Sequence, residues 1–163
     1  MSPSVGAVAP NFTATTDRDD ALELASLRGK PVVLFFYPKD DTPGCTTEAC
    51  SFRDTVPRFE GIDAVVLGVS PDSAKSHRKF KEKFNLPYTL IADTGHAIAD
   101  AYGVWGEKTM FGRKYFGVLR TTFVIDPKGK IAKVFENVKP EGHADEVATA
   151  VADMNRHGQK GKR

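Results

Sequence analysis

Cysteine is scarce in this chain: two residues in 163, Cys45 and Cys50, alongside a single tryptophan and three methionines. Two thiols exclude a disulfide-rich scaffold. A structural zinc site needs about four ligands, and no Cys-x-x-Cys or histidine pair completes one. Net charge is small as well. The 23 Lys and Arg against 21 Asp and Glu leave +2, so nothing calls for nucleic acid or an anionic membrane as partner. The two basic stretches, "KSHRKFKEKF" (75–84) and "RHGQKGKR" (156–163), read as a solvated helix face and a disordered tail. Long hydrophobic runs are missing, the longest being "PVVLFFYP" (31–38), far short of the ~20 residues of a spanning helix. The opening "MSPSVGAVAPNF" has no basic start before an apolar core, so no leader is expected and the cytoplasm is the expected location. No repeat or low-complexity linker divides the chain, which implies one domain over 1–163. In a cytoplasmic protein, two cysteines point to catalysis or metal binding before they point to a staple.

What is present is an alternation of strands and helices. Residues 12–16 and 22–24 read as short strands around the polar turn "DRDD". "VVLFFY" (32–37) is a continuous β-branched and aromatic run, the pattern of a strand buried on both faces. A helix follows from about 44 to 58, then a second buried strand, "DAVVLGVS". Asp72 or Ser73 can cap the next helix, where Phe80 and Phe84 share a face. "YTLIAD" and "TTFVIDPKGKIAKVFENV" add strands, the latter with a hairpin turn at Asp126-Pro127-Lys128-Gly129. A helix over about 142–154 closes the domain. This order predicts an α/β fold with a central mixed sheet flanked by helices, preceded by an N-terminal β-hairpin. Its first half is parallel and its second ends in an antiparallel pair, an arrangement similar to the thioredoxin-like architecture.

Both thiols fall where the long buried strand turns into a helix, the end of the sheet at which α/β folds bind ligands. Thr42 is a good N-cap and Pro43 suits the first helical position, which puts Cys45 in the first turn. Unpaired N–H groups and the macrodipole favour an anion there. A free thiol titrates near ~8.5, and helix N-termini or cationic neighbours favour the nucleophilic thiolate. Cys50 lies five positions further on. Along an intact helix the two Cα atoms would be about 8.6 Å apart. A disulfide tolerates ~4.4–6.8 Å. Either the pair never bonds, or the helix opens when it does.

"PKDDTPGC" has the form Pro-x-x-x-Thr-x-x-Cys and resembles the active-site motif of peroxiredoxins. With a second cysteine five residues on, "YPKDDTPGCTTEAC" is similar to the peroxiredoxin Q, or bacterioferritin comigratory protein, subfamily. "APNF", "LRGKPVVLFFYP", "LGVSPDS", "KFNLPYTLIAD" and "RTTFVID" match in order. The N-terminal "TTDRDDALEL" departs from the Gly-containing turn often found there, and "WGEKTMFGRKYFGVLR" is read as a long loop. The resemblance implies a thiol peroxidase on a thioredoxin-like fold, without metal or bound organic cofactor. It implies that Cys45 is the peroxidatic cysteine and Cys50 the resolving one, joined in an intramolecular disulfide. Pro38 matches the shielding proline, Thr42 the hydrogen-bonding threonine and Arg120 the active-site arginine. Hydrogen peroxide and organic hydroperoxides are the implied substrates, thioredoxin or glutaredoxin the reductant, and a monomer the implied state.

Residue chemistry adds detail. The Thr42 hydroxyl can cap the helix or bond the thiolate or peroxide, which are competing uses of one group. The N–H groups of Gly44 and Cys45 point the right way at a helix start. Glu48 would repel a thiolate three residues away, so an ion pair with Arg120 is expected. His77, His96, His143 and His157 are dispersed and read as surface residues. Phe35, Phe36, Phe52 and Phe59 read as core or rim, with Phe52 on the Cys45 face of the helix. Trp105 is placed in the long loop, where its fluorescence would report motion. Two other functions stay open on the residues alone: a thiol-disulfide oxidoreductase, disfavoured by the cysteine spacing, and a redox-dependent binding protein, which leaves Arg120 and Thr42 unexplained.

Overall fold

The computed structural model of the chain describes residues 3–160. The elements run β1 (Thr13–Thr16), β2 (Ala21–Glu23), a 3-10 turn (Leu24–Leu27), β3 (Val32–Phe36), α1 (Pro43–Gly61), β4 (Val65–Ser70) and α2 (Ala74–Phe84). They continue with β5 (Thr89–Ala92), α3 (Ala97–Ala101), β6 (Trp105–Met110), β7 (Arg113–Val118), β8 (Thr121–Ile125), β9 (Ile131–Phe135) and α4 (His143–Lys160). Seven strands form one sheet in the order β2-β1-β5-β4-β3-β8-β9, while β6 and β7 form a separate two-stranded arm. β3, β4 and β5 are parallel, joined by crossovers through α1 and α2, while β8 runs antiparallel to β3 and β9 antiparallel to β8. The expected α/β sheet with its N-terminal hairpin is present.

β3 holds the centre. All five of its residues are buried, alternating between two cores. Val33, Phe35 and Tyr37 face α1, α2 and α4; Leu34 and Phe36 face α3 and the N-terminal segment. Gly68 of β4 makes room for this. A Cβ there would come within 2.8 Å of the Phe35 ring and 2.9 Å of Leu90. Phe35 in turn stacks on Phe52 of α1 at 4.4 Å, which fixes the helix over the sheet. The four phenylalanines expected in the core are all fully buried or nearly so.

Two expectations need correction. The stretch 105–120 is not a loop but the β6–β7 hairpin, and Trp105 opens β6 stacked 3.9 Å from His96. Its strands are mostly exposed, so burial stamps little hydrophobic alternation on the sequence. His77 and His143 are buried, not surface residues, because each finds polar partners inside. The stretch 156–163, read as a tail, overlaps the end of α4, whose bounds run to Lys160. Residues 161–163, and the placement of the His157 side chain, lie outside what is described. Among the described residues, no helix is long and apolar enough to cross a membrane.

Candidate active site

α1 starts where expected. Thr42 is the N-cap residue in extended conformation and Pro43 occupies the first helical position. Before it, the loop carries half-buried Pro38 and turns sharply at Asp41, whose φ of 58° is a left-handed conformation that Asp tolerates. The Thr42 side chain does not cap the helix. Its hydroxyl donates to the Lys39 carbonyl at 2.9 Å, closing the turn, so its lone pairs rather than its proton are free for a ligand. This corrects the expected capping role.

Cys45 is 2% exposed in the first turn, and Cys50 is half-buried further along the same intact helix; both thiols are free. Arg120 reaches Cys45 from the sheet. Thr121 of β8 pairs with Phe36 at the end of β3, so Arg120 emerges beside the point where the chain enters α1. Its Nη2 lies 3.3 Å from Cys45 Sγ, and its Nη1 donates to Glu48 Oε1 at 2.6 Å. The expected Glu48–Arg120 ion pair is therefore formed, and one guanidinium fork spans carboxylate and sulfur. Gly44 permits the approach, since a Cβ there would sit 3.3 Å from Nη2.

Electrostatics at this cluster are finely balanced. Burial pushes the Glu48 carboxyl up to about 7, against the pull of Arg120. Its second oxygen is buried with no hydrogen-bond partner among the described residues. Burial also works against the Arg120 charge, yet Glu48 and Cys45 outweigh it and its pKa moves up. His143 stands nearby on α4, pushed below its ordinary value chiefly by burial. It faces Glu146 at 2.7 Å through Nδ1 and Thr122 at 2.8 Å through Nε2. A solvent-facing cleft of about 530 Å³, lined by Pro43, Gly44, Thr47, Lys139, Pro140 and Glu141, opens beside the helix start.

A second polar cluster escaped the sequence reading. Asp40 Oδ1 accepts from the Tyr37 hydroxyl at 2.6 Å, and Oδ2 from Ser76 at 2.8 Å, while His77 Nδ1 lies 2.7 Å from Oδ2. His77 Nε2 faces the Ile91 carbonyl at 2.8 Å, which accepts from it, and Nδ1 is the nitrogen turned to the Asp40 carboxylate. Asp72 Oδ2 accepts from the Asp40 N–H at 2.8 Å and the Ser70 hydroxyl at 2.6 Å. Asp40, Asp72 and His77 are close enough to share a metal ion, but their facing atoms are committed to these hydrogen bonds. The cluster pins the loop before α1 to β4 and α2. A signal existed: His77 lies three residues before Phe80, on its helix face.

Residues 5–134 match the AhpC/TSA family. A putative peroxiredoxin bcp of Coxiella burnetii is 52% identical over 147 residues, covering 90% of this chain and 97% of that protein. Peroxiredoxin Bcp of Bacillus subtilis is 46% identical over 155 residues, 95% of this chain and 99% of its own. Among solved structures, the Xylella fastidiosa PrxQ superposes with a TM-score of 0.88 at 34% identity, covering 97% of this chain and 99% of that one. The Xanthomonas campestris bacterioferritin comigratory protein, studied for alkyl peroxide reduction, gives 0.84 at 36%, covering 88% and 91%.

Proposed function

The chain belongs to the AhpC/TSA family and is a thiol peroxidase of the Bcp or peroxiredoxin Q kind, acting on peroxide with a thiol reductant; on that premise we propose that Cys45 is its attacking sulfur and Cys50 its resolving partner. One observation carries the assignment: the Arg120 fork that joins Cys45 Sγ to Glu48 at the positive end of α1.

The Cys45 thiolate attacks one peroxide oxygen along the O–O axis. That bond breaks, the sulfur becomes a sulfenic acid, and the departing oxygen takes a proton to leave as water or an alcohol. Arg120 and the helix-start N–H groups of Gly44 and Cys45 donate to the developing charge, and Thr42 Oγ1 accepts from the peroxide O–H. Pro38 walls the loop side and excludes water from the sulfur. The first turns of α1 then unwind, Cys50 attacks Cys45, and the hydroxyl departs as water, leaving a disulfide that guards against over-oxidation. A dithiol protein, thioredoxin before glutaredoxin, reduces it by exchange. The open cleft beside Gly44 gives hydrogen peroxide and small alkyl hydroperoxides an approach to the helix start. The same reading takes the enzyme as a monomer at work in the cytoplasm.

NADPH-coupled turnover with thioredoxin and its reductase, together with single-turnover peroxide consumption, tests the assignment. Cys45→Ser should be inert. Cys50→Ser should consume about one equivalent of peroxide and then stall as sulfenic acid. Full activity in Cys45→Ser removes the proposal.

A further inference from the structure

The β6–β7 arm is largely exposed, yet Lys108 in its middle is half-buried. Its side chain does not point to solvent. Nζ donates to the Val118 carbonyl at 2.9 Å, two residues before Arg120. Lys108 pairs across the arm with Tyr115, so its stem runs along β7 over Gly117. A Cβ on Gly117 would sit 3.4 Å from Lys108 Cδ, so the glycine leaves that path open.

The lysine has no carboxylate of its own among the described residues. Its strand neighbour Glu107 pairs with Lys114, and Glu48 pairs with Arg120. Burial first, and then the charge of Arg120, push its pKa down, while Cys45 holds it up. Lys108 Nζ is thus held at the end of β7, on the short link to Arg120, whose guanidinium reaches Cys45. Two cations half-withdrawn from water near one another repel, and an anion between them offsets that cost.

The charges around the sulfur show why a second cation matters. With the thiolate formed and Glu48 ionised, as it is once pH rises through about 7, Cys45 and Glu48 are two anions competing for the single guanidinium of Arg120. Of the other groups near this cluster, Tyr88 and His143 carry no positive charge at neutral pH, and Lys139 lines the open cleft together with Glu141. We propose that Lys108 is a positioning residue for the peroxidase reaction, the second positive charge that holds Cys45 as thiolate while Arg120 stays shared with Glu48. This rests on Cys45 being the attacking sulfur.

The test is the single-turnover rate of peroxide consumption by wild type, Lys108→Met, Lys108→Gln and Lys108→Arg across about pH 6 to about pH 9, read with circular dichroism as a check on folding. Lys108→Met and Lys108→Gln should be about tenfold slower near neutrality, the deficit shrinking to about twofold at the alkaline end, where a thiol ionises unaided. Lys108→Arg should stay within about twofold throughout, because it restores the charge. Formation of the disulfide after oxidation should be unchanged. An unaltered rate in both neutral variants, or a deficit of the same size at every pH, overturns the proposal. Activity in Cys45→Ser would instead remove the underlying assignment, so the two failures are separable.

Discussion

Two consecutive segments meet at Thr42 and are held by different means. Residues 37–41 are tied outward. Tyr37 donates its N–H to Val69 of β4, Asp40 is bonded to His77 and Ser76 of α2, its N–H goes to Asp72, and Asp41 pairs with Lys83. The first turns of α1 are tied mostly to themselves, by bonds such as Thr46 N–H to Thr42 O and Thr47 hydroxyl to Pro43 O. Their outward ties are few: Arg120 to Cys45 and Glu48, and the Tyr88 hydroxyl to the Ala49 carbonyl. Local helical bonds can break and be replaced by water at the cost of these few ties, whereas the loop's bonds join it to β4 and α2 at every step. The difference suits a site whose rim must stay in place while its helix start opens to bring Cys50 to Cys45.

The largest test of this contrast removes the clamp. Asp40→Ala leaves the buried His77 and Tyr37 without their common acceptor, a change that typically costs about 3–5 kcal/mol. Thermal unfolding should fall accordingly. Hydrogen exchange should quicken at residues 37–41 and in the first turn of α2, with little change at Thr46 and Thr47. Equal loosening of α1 would show that the two segments are one unit.

A second test stiffens the mobile side. Pro57 lies inside α1, so the Arg53 carbonyl has no helical N–H to accept four residues on. Beyond that joint the helix is held by Phe59 in the core and by Arg58 on Asp145 of α4. On the near side Arg53 donates to the Phe84 carbonyl at 2.8 Å. The joint lies between the part of α1 that carries both cysteines and an end anchored on α4. Pro57→Ala should raise stability by about 2 kcal/mol, part of the ~3 kcal/mol an interior proline costs. It should slow disulfide formation after peroxide while leaving the first oxidation untouched, a split that stopped-flow Trp105 fluorescence can follow. Unchanged disulfide kinetics would locate the opening wholly in the first two turns.

The same contrast explains which parts were readable from sequence. The clustered apolar run of β3, the Thr-Pro-Gly entry to α1 and the turn at Asp126 to Gly129 are local signals, and each element appears where its chemistry puts it. The Arg120–Glu48 pair was legible because like charge near a thiolate demands an opposite one. The clamp was not legible, since Asp40 and His77 are 37 residues apart and the polar residues between Ala74 and Phe84 resemble a solvated face. Nor was the β6–β7 arm, whose strands pair with each other and bury little. Thr42 was half-legible: its place at the cap follows from residue type, but its proton is taken by a turn that residue type does not reveal.

The smallest effect concerns pH, and it divides two groups in the core around α1. Glu48, raised from 4.5 to about 7 by burial despite Arg120, holds its proton more tightly folded than unfolded. Its contribution is complete below about 4.5 and is lost as pH rises through about 7. His143, lowered below 6.5 by burial despite Glu146, behaves oppositely; its contribution is present above 6.5 and is lost as pH falls through its depressed folded value. Each proton can tilt stability by at most ~1.4 kcal/mol per pH unit. Urea midpoints at about pH 5, 6 and 7 should therefore shift in opposite senses in two variants. Relative to wild type, Glu48→Gln should gain stability as pH rises across this window, and His143→Gln should lose it. If Glu48→Gln instead tracked wild type at every pH, the carboxylate would be fully ionised against Arg120 from the start, and the sulfur would face a permanently occupied guanidinium.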